Sequence, residues 1–267
     1  MSAPAEPTSA WEPITPRGVA AFARAKLGRL LLVQCIVALL AAASVAWFLD
    51  DACFPTVLAA IQKLPAAGEI RPGRLDWRSD SPQLLAEGRF IAFDVDTNHS
   101  AQIHSTADVQ VEFGADSIRV FSSFGYYSDF PYLPNGVAPF NRVELEPLWD
   151  AWAAEILFIA SVLAAMVLLS SWWLLATIYF LPVWLLGFFT NRDLNLRASW
   201  QLSGAALLPG AMVMTAGILF YGLGLLDLVS FGFLVAAHFV LGWIYLFLSQ
   251  LFLPRTPDGP QKGNPFH

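Results

Sequence analysis

The sequence predicts a membrane α-helical bundle of four transmembrane helices with an inserted extracytoplasmic β-rich domain. Three observations lead to this fold class. The chain contains four long apolar stretches, a polar segment of about a hundred residues follows the first stretch, and basic residues concentrate outside that segment. Hydrophobic residues make up 56% of the 267 positions and charged residues only 13%, which is typical of an integral membrane protein. This composition excludes most soluble enzyme classes.

Each apolar stretch has about the length that a membrane-spanning helix needs. The four stretches cover residues 30–48, 152–178, 202–223 and 228–252. About 20 predominantly apolar residues cross the hydrocarbon core as a helix, and a helix pairs its own backbone groups where water is absent. A cleaved signal peptide is the alternative for the first stretch. Because the 29 preceding residues are long for the start of such a peptide, we favour a retained signal anchor.

The region 152–190 leaves two alternatives open, since it is too long for one crossing and barely long enough for two. Pro182 lies within it and removes a backbone donor, so it is expected to kink or end a helix. We interpret the region as one crossing, followed by a short interfacial segment near 179–190. Two crossings would place Arg192 and Arg197 outside, against the distribution of the other basic residues.

The distribution of Lys and Arg predicts that both termini are cytoplasmic. After four crossings, the segments 1–29, 190–199 and 254–267 share one side and together carry 8 basic and 4 acidic residues. Residues 50–150 carry 7 basic and 15 acidic residues. Because Lys and Arg are enriched in cytoplasmic loops, these three segments are predicted to be cytoplasmic. The expected location is a cell membrane, a bacterial inner or plasma membrane, which the chain crosses several times. In this topology, residues 30–49 form the first crossing and residues 151–253 contain the other three.

Residues 50–150 are predicted to form the extracytoplasmic β-rich domain. Apolar residues at helical spacing after Asp50 predict a short amphipathic helix first. Strand-like alternation follows in RLDWRS, FIAFDVD, ADVQVEF and DSIRVFSS, with Gly, Pro, Asn and Asp between these segments. The aromatic-rich segment 126–147 is expected to form a long return loop to the second crossing.

The alternation in the last two predicted strands assigns their faces. The residues predicted to point inward are Val109, Val111, Phe113, Ile118 and Val120. The intervening polar residues Asp108, Gln110 and Glu112 are predicted to form a solvated face, as in an antiparallel sheet with one wet side.

The order of these parts and a few local patterns resemble a known family. The residues that carry the local patterns are Leu64-Pro65 with Ile70, Gly73 and Leu75, and the pair Asp96-Thr97. They resemble the proline, short strand, glycine turn and closing Asp-Thr of bacterial membrane proteins grouped as domain of unknown function 1189. Some members are labelled maltodextrin-utilisation proteins by gene context. Asn98-His99 stands where that family has its next glycine. The resemblance implies one N-terminal crossing, an outer β domain and a C-terminal helical bundle, and it implies no chemistry.

Three ionisable residues lie in or near the apolar stretches, where charges are costly and often functional. Glu155 lies about a turn into the second stretch, and Asp227 lies in the short turn between the third and fourth. His238 lies about ten residues into the fourth stretch, near mid-bilayer. We interpret His238 as a neutral interhelical hydrogen-bonding group, with a proton-relay or ligand role as the alternative. The expected partners are Gln201, Ser203 and Thr215.

The third stretch is predicted to be a packing helix because it is rich in small residues. Small residues let membrane helices approach closely, and Ala206 and Gly210 form a small-xxx-small pair. Gly217 lies two turns further on. Pro209 is expected to kink this helix, with a substrate cavity at the kink as the alternative.

One polar segment of the outer domain resembles the start of a calcium loop. Asp94, Asp96 and Asn98 form D-x-D-x-N, but His99 and Ser105 occupy the positions where such a loop needs Gly and Glu. His99 and His104 could act as metal ligands with the two aspartates. We interpret the segment as a solvated strand end and turn, and we expect no metal or cofactor.

The sequence therefore favours a non-enzymatic accessory or scaffold subunit whose extracytoplasmic domain contacts a partner. HExxH, GxSxG and paired intramembrane aspartates are absent from the sequence, which disfavours a membrane-embedded enzyme. The expected partners are the lipid bilayer and other membrane-protein subunits or a second copy of the chain, not nucleic acid. The alternative is a transport or sensing protein that binds a ligand through the outer domain or the helical bundle.

Overall fold

A computed structural model describes residues 12–100 and 102–255. By internal packing the chain divides into two compact units, one within Met1–Ser44 and Ser161–His267 and the other Val45–Ala160. The helices are α1 (Pro16–Phe22), α2 (Leu27–Phe48), α3 (Phe54–Gln62), α4 (Arg142–Phe189), α5 (Leu196–Ala206), α6 (Leu208–Gly222) and α7 (Leu228–Gln250). A π-helical turn, Leu49–Cys53, joins α2 to α3.

The strands all lie in the second unit. They are β1 (Glu69–Arg71), β2 (Arg74–Asp76), β3 (Gln83–Glu87), β4 (Ile91–Val95), β5 (Val109–Phe113), β6 (Ser117–Ser122), β7 (Tyr127–Pro131) and β8 (Ala138–Pro139). Among the described residues they form a five-stranded sheet in the order β3-β4-β5-β6-β7 and a three-stranded sheet in the order β2-β1-β8. The prediction of long apolar helices together with a β-rich segment is confirmed at this level.

Within the described residues, four helical segments are long and apolar enough to cross a membrane. They are Leu27–Gln62, Arg142–Phe189, Leu196–Gly222 and Leu228–Gln250. Their positions follow the four apolar stretches of the sequence, because length and composition are local properties of the chain. In the most apolar 18-residue part of Arg142–Phe189, no residue is buried within the protein. In the corresponding part of Leu228–Gln250, only 11% of the residues are buried.

The second apolar stretch belongs to one continuous helix of 48 residues, α4. The expected boundary after residue 178 lies inside α4, and the helix continues past Pro182 to Phe189. At 1.5 Å per residue α4 is about 72 Å long, roughly twice the thickness of a hydrocarbon core. The residues near 179–190 therefore continue α4 and form no separate helix.

The start of α4 lies within the expected return loop. Asn141 accepts from the Glu144 backbone N–H at 3.0 Å, and its Nδ2 donates to Glu144 Oε1 at 3.1 Å. This reciprocal pairing resembles a capping box, with Asn141 as the cap and Glu144 three residues later. The cap makes a helix begin at Arg142, ten residues before the apolar stretch.

The third apolar stretch consists of two helices. α5 ends at Ala206, and α6 begins at Leu208 with Pro209 in its first turn. Proline is tolerated there because the first-turn N–H groups of a helix have no intrahelical acceptor. The interruption predicted from Pro209 is confirmed.

The core of the second unit lies between α3 and the five-stranded sheet. Its buried hydrophobic members are Ala60, Leu64, Leu75, Leu85, Ala86, Val95, Tyr132 and Phe140. β4 and β5 are parallel, whereas the other neighbours are antiparallel. A parallel neighbour requires a crossover connection, and the chain between Val95 and Val109 supplies it.

The predicted strand faces are only partly correct. Phe113 and Ile118 pack against the core, but Val109, Val111 and Val120 are only half-buried. Glu112, predicted to be solvated, retains 4% of its accessible surface. The prediction of a solvated face is therefore wrong for Glu112. The β4–β5 crossover lies on that side of the sheet, as the hydrogen bond from Gln110 Nε2 to the Ile103 carbonyl at 3.3 Å indicates.

Candidate functional site

His238 does not make the interhelical bonds expected of it. Its Nδ1 bonds the carbonyl of Val235, one turn earlier in α7. The expected partners bond elsewhere: Ser203 Oγ donates to the Ser199 carbonyl at 2.8 Å, and Thr215 Oγ1 donates to the Ala211 carbonyl at 2.9 Å. Ser203 and Thr215 thus satisfy backbone carbonyls of their own helices, and the third expected partner, Gln201, donates to the Ala25 carbonyl at 3.2 Å.

The two acidic candidates have different environments. Glu155 lies on an exposed face of α4. Asp227 is the N-cap of α7, where its Oδ1 accepts from the Ser230 backbone N–H at 2.7 Å. An aspartate at this position satisfies an otherwise unpaired donor and complements the helix dipole. The structure therefore gives Asp227 a capping role.

The three packing candidates lie at close contacts within the first compact unit, Met1–Ser44 with Ser161–His267, which we call the helical unit. Ala206 and Gly210 are buried, and a Cβ added to Gly210 would lie 2.7 Å from the backbone oxygen of His238. A Cβ on Gly217 would lie 2.1 Å from Leu234 Cδ2. The backbones of α6 and α7 approach closely because these positions carry no side chain.

Buried amide side chains connect distant helices of this unit. Gln34 of α2 donates to the Gly204 carbonyl at 3.4 Å and accepts from Trp173 Nε1 at 3.2 Å. Gln250 of α7 donates to the Val183 carbonyl at 3.4 Å. Sequence reasoning treated Gln34 only as an interruption of an apolar run. A buried amide in an apolar helix is itself a signal of an interhelical bond, although the sequence does not name the partner.

A polar cluster lies beneath the β4–β5 crossover in the second unit. Asp94 and Asp96 are 0% and 1% exposed. His99 Nδ1 lies 2.5 Å from Glu112 Oε1, and Gln110 Nε2 donates to Asp94 Oδ1 at 2.8 Å. The interpretation of this segment as a solvated strand end is therefore wrong, because the crossover folds back over these side chains.

Backbone conformation positions the histidine of this cluster. His99 has a φ of +50°, a left-handed conformation that non-glycine residues adopt rarely. The preceding residue, Asn98, donates its backbone N–H to Asp96 Oδ1 at 3.2 Å. Gly114 leaves the space for the imidazole, since a Cβ there would lie 2.1 Å from His99 Cε1. The turn and the glycine together place His99 against Glu112.

Burial gives the cluster unusual electrostatics. It raises the pKa of Asp94 to about 6, with smaller contributions from the charges of Glu112 and Asp96, and the Gln110 hydrogen bond acts in the opposite direction. A neutral carboxyl group is easier to bury than an ionised one. Within residues 12–100 and 102–255, no group of three or more His, Cys, Asp or Glu side chains is arranged to hold a metal ion. The cluster can exchange a proton near pH 6.

The most accessible feature of the second unit is the edge strand β7. All five of its residues are exposed, and among the residues that the structure describes β6 is its only strand neighbour. Six exposed hydrophobic side chains lie on β7 and beside it in sequence: Phe124, Tyr126, Tyr127, Phe130, Leu133 and Val137. We call β7 with these six residues the aromatic edge. Sequence reasoning placed the edge in a return loop, although the run YYSDF carries the aromatic enrichment of a strand.

Comparisons of the chain with models of known protein families, with curated proteins and with solved structures find no match. The resemblance described from the sequence is neither supported nor opposed by these comparisons. Functional inference for this protein therefore rests on the geometry of the helical unit, the polar cluster and the aromatic edge.

Proposed function

We propose that this protein is a non-enzymatic multi-pass membrane subunit whose β-rich domain recruits a partner protein through the aromatic edge. The single observation that carries the proposal is the fully exposed strand β7 with its exposed aromatic side chains. The proposal includes a bacterial inner or plasma membrane location, with both termini in the cytoplasm and residues 50–150 outside.

The exposed apolar surface of the helices supports membrane insertion. Phe158, Phe233 and Phe239 expose 58–72% of their surface, and many other large apolar side chains along α4 and α7 are also exposed. The exposure of so much contiguous apolar surface to water is strongly unfavourable in free energy. Lipid tails cover such a surface without cost, which suits four helices long enough to cross a bilayer.

The chemistry of the aromatic edge supports protein recognition. An unpaired strand edge offers a row of backbone donors and acceptors to an added strand, and soluble proteins usually protect such edges. Tyr and Phe supply large contact areas with few rotatable bonds, so they are enriched at protein interfaces. Asp129 is the only charged residue within β7, and it lies 3.7 Å from Arg119, which leaves the edge weakly charged.

A crosslinking experiment tests the partner contact. A photoreactive amino acid replaces Phe130 in the full chain expressed in bacterial membranes, and the adducts are identified by mass spectrometry. We expect one dominant protein adduct. The same partner protein should co-purify with the native chain in a one-to-one ratio. The matched control replaces Leu84, which lies on the opposite edge strand β3 and is 37% exposed.

Substitution then separates recognition from folding. Phe130→Ser combined with Tyr126→Ser should release the co-purifying partner, while Leu84→Ser should leave the partner bound. A purified protein that remains a single monomer, without any adduct at position 130, would contradict the proposal.

A ligand-binding or sensing role is the second candidate, and one observation favours it. A polar cavity of about 440 Å³ in the second unit is lined in part by Glu69, Arg78, Asn141 and Glu144. This volume suits a small polar ligand. Saturation of this site by a small molecule, with protection of Asn141 from hydrogen exchange and no partner at β7, would favour this candidate over the first.

A further inference from the structure

We propose that a basic cavity in the helical unit binds the phosphate group of an anionic membrane lipid. The cavity has a volume of about 440 Å³ and lies between the segment that follows α1 and the start of α5. Its polar lining consists of Arg24, Lys26, Asp193, Asn195, Arg197 and Gln201. This inference depends on membrane insertion but not on a partner at the aromatic edge.

The charges around the cavity favour an anion. Among the described residues, Asp193 is the only acidic one that lines the cavity, and Arg24 forms an ion pair with it at 3.1 Å. Lys26 and Arg197 form no ion pair with any residue in 12–100 or 102–255. Two cations that face the same cavity repel one another, and an anion between them removes that repulsion. A phosphate also accepts hydrogen bonds from both side chains.

The start of α5 adds backbone groups to the same site. Asn195 caps the helix, since its Oδ1 accepts from the Ala198 backbone N–H at 2.8 Å. The N-terminus of a helix carries a partial positive charge and presents N–H groups to an anion. Arg197 lies in this first turn, so its guanidinium group and the helix dipole act on the same space.

The two walls of the cavity are fixed to each other. Gln201 is 2% exposed, and its Nε2 donates to the Ala25 carbonyl at 3.2 Å. A bond from a buried side chain of α5 to the turn between α1 and α2 therefore holds the cavity walls together, in addition to the surface side chains. A preformed site loses less conformational entropy on binding than a flexible one.

The position of the cavity identifies a lipid as the source of the phosphate. Lys26 directly precedes the apolar helix α2, and Arg197 lies in the first turn of the apolar segment Leu196–Gly222. Leu196 is 52% exposed beside Arg197. Basic groups at the end of an apolar helix lie at headgroup depth, where they attract anionic lipids. A lipid can place its phosphate in the cavity and its acyl chains along Leu196 and the apolar helices.

Native mass spectrometry of the full chain in detergent tests this assignment. The chain is titrated with phosphatidylglycerol, with phosphatidylcholine and with inorganic phosphate, and the bound fraction and the unfolding temperature are measured. We expect phosphatidylglycerol to bind and to raise the unfolding temperature, and the double variant Lys26→Gln, Arg197→Gln to bind it roughly tenfold more weakly. The charge-preserving variant Lys26→Arg, Arg197→Lys should retain most of the binding.

The matched control is Arg255→Gln, which removes one basic residue of the same unit that does not line the cavity. It should bind phosphatidylglycerol like the native chain. Equal loss in the control, or equal binding by the double variant with native circular dichroism, would overturn the proposal. Protection by inorganic phosphate equal to that by phosphatidylglycerol would overturn the lipid assignment and establish a free-phosphate site.

Discussion

At the scale of single residues, burial decides the chemistry of the polar cluster. Asp94 and Glu112 occupy positions that alternate with apolar residues, which predicts a solvated face. The crossover that buries them begins at Asp96, directly after β4, and its return over the sheet is set by the parallel pairing of β4 with β5. Single-sequence reasoning could find these carboxylates but not the cover over them, because the cover depends on strand order.

The raised pKa of Asp94 predicts a pH-dependent stability for the β-rich domain. The folded state holds its proton up to about pH 6, whereas an ordinary aspartyl group in the unfolded chain has a pKa of 3.8. Folded molecules therefore bind more protons between these values, and stability falls as pH rises from about 4 to 6. Asp94→Asn should flatten this dependence and raise the free energy of unfolding at neutral pH by as much as ~3 kcal/mol.

Hydrogen exchange of β4 and β5 across this pH range measures the effect. Asp80→Asn is the matched control, since Asp80 is exposed and lies outside the polar cluster, so the substitution should leave the dependence on pH unchanged. A native-like decrease between pH 4 and 6 in Asp94→Asn would sink the assignment.

Gly114 predicts a second residue-scale effect. In Gly114→Ala the new methyl group would overlap the imidazole of His99, so the ring must leave Glu112 or the strand must shift. Overpacking of this kind costs about 1–3 kcal/mol, and protease resistance of the β-rich domain reports it. Gly136→Ala is the control, because its nearest contact would be an ordinary 3.4 Å to Leu133 Cβ. Equal resistance of the two variants would refute the packing of His99 on Gly114.

At the scale of elements, helix starts and helix contacts depend on different kinds of information. The starts of α4, α5 and α7 follow from the capping residues Asn141, Asn195 and Asp227, and a cap acts only on the next turn. The contact between α6 and α7 depends on small residues whose facing partners lie in another helix. The sequence therefore predicts where these helices begin, whereas tertiary packing decides which neighbouring helix each helix face contacts.

The α6–α7 contact predicts the effect of a methyl group on helix packing. Gly210→Ala would place Cβ 2.7 Å from the His238 backbone oxygen, and because backbone yields little, the helices must separate. We expect a loss of about 1–3 kcal/mol in stability, measured as a lower unfolding temperature in detergent. Gly28→Ala in α2 has no atom within 4 Å of its new Cβ, so it should be neutral or slightly stabilising. A lower unfolding temperature in Gly28→Ala alone would reverse this assignment.

At the scale of the whole molecule, the proposed topology rests on the basic residues and on an even number of crossings. The described residues contain four helices long enough to span a membrane, and four crossings would return the chain to its original side. The distribution of Lys and Arg then predicts cytoplasmic termini. Reporter fusions that end after Gly114 and after Leu194 should report opposite compartments, the first outside and the second cytoplasmic. The same compartment for both fusions would exclude the four-crossing topology.

The sequence by itself determined where the four long apolar segments lie along the chain, the helix break just before Pro209 and the presence of a β-rich segment between the first two apolar segments. These features depend on composition and on residues a few positions apart, which act before any tertiary contact forms. Only the tertiary structure decided which polar groups are buried and which strand is exposed. Gln34 bonds groups 139 and 170 residues away, and β7 is an edge because no strand of the described residues pairs with its outer side. Such contacts join segments distant in the chain, so no local pattern of residues contains them.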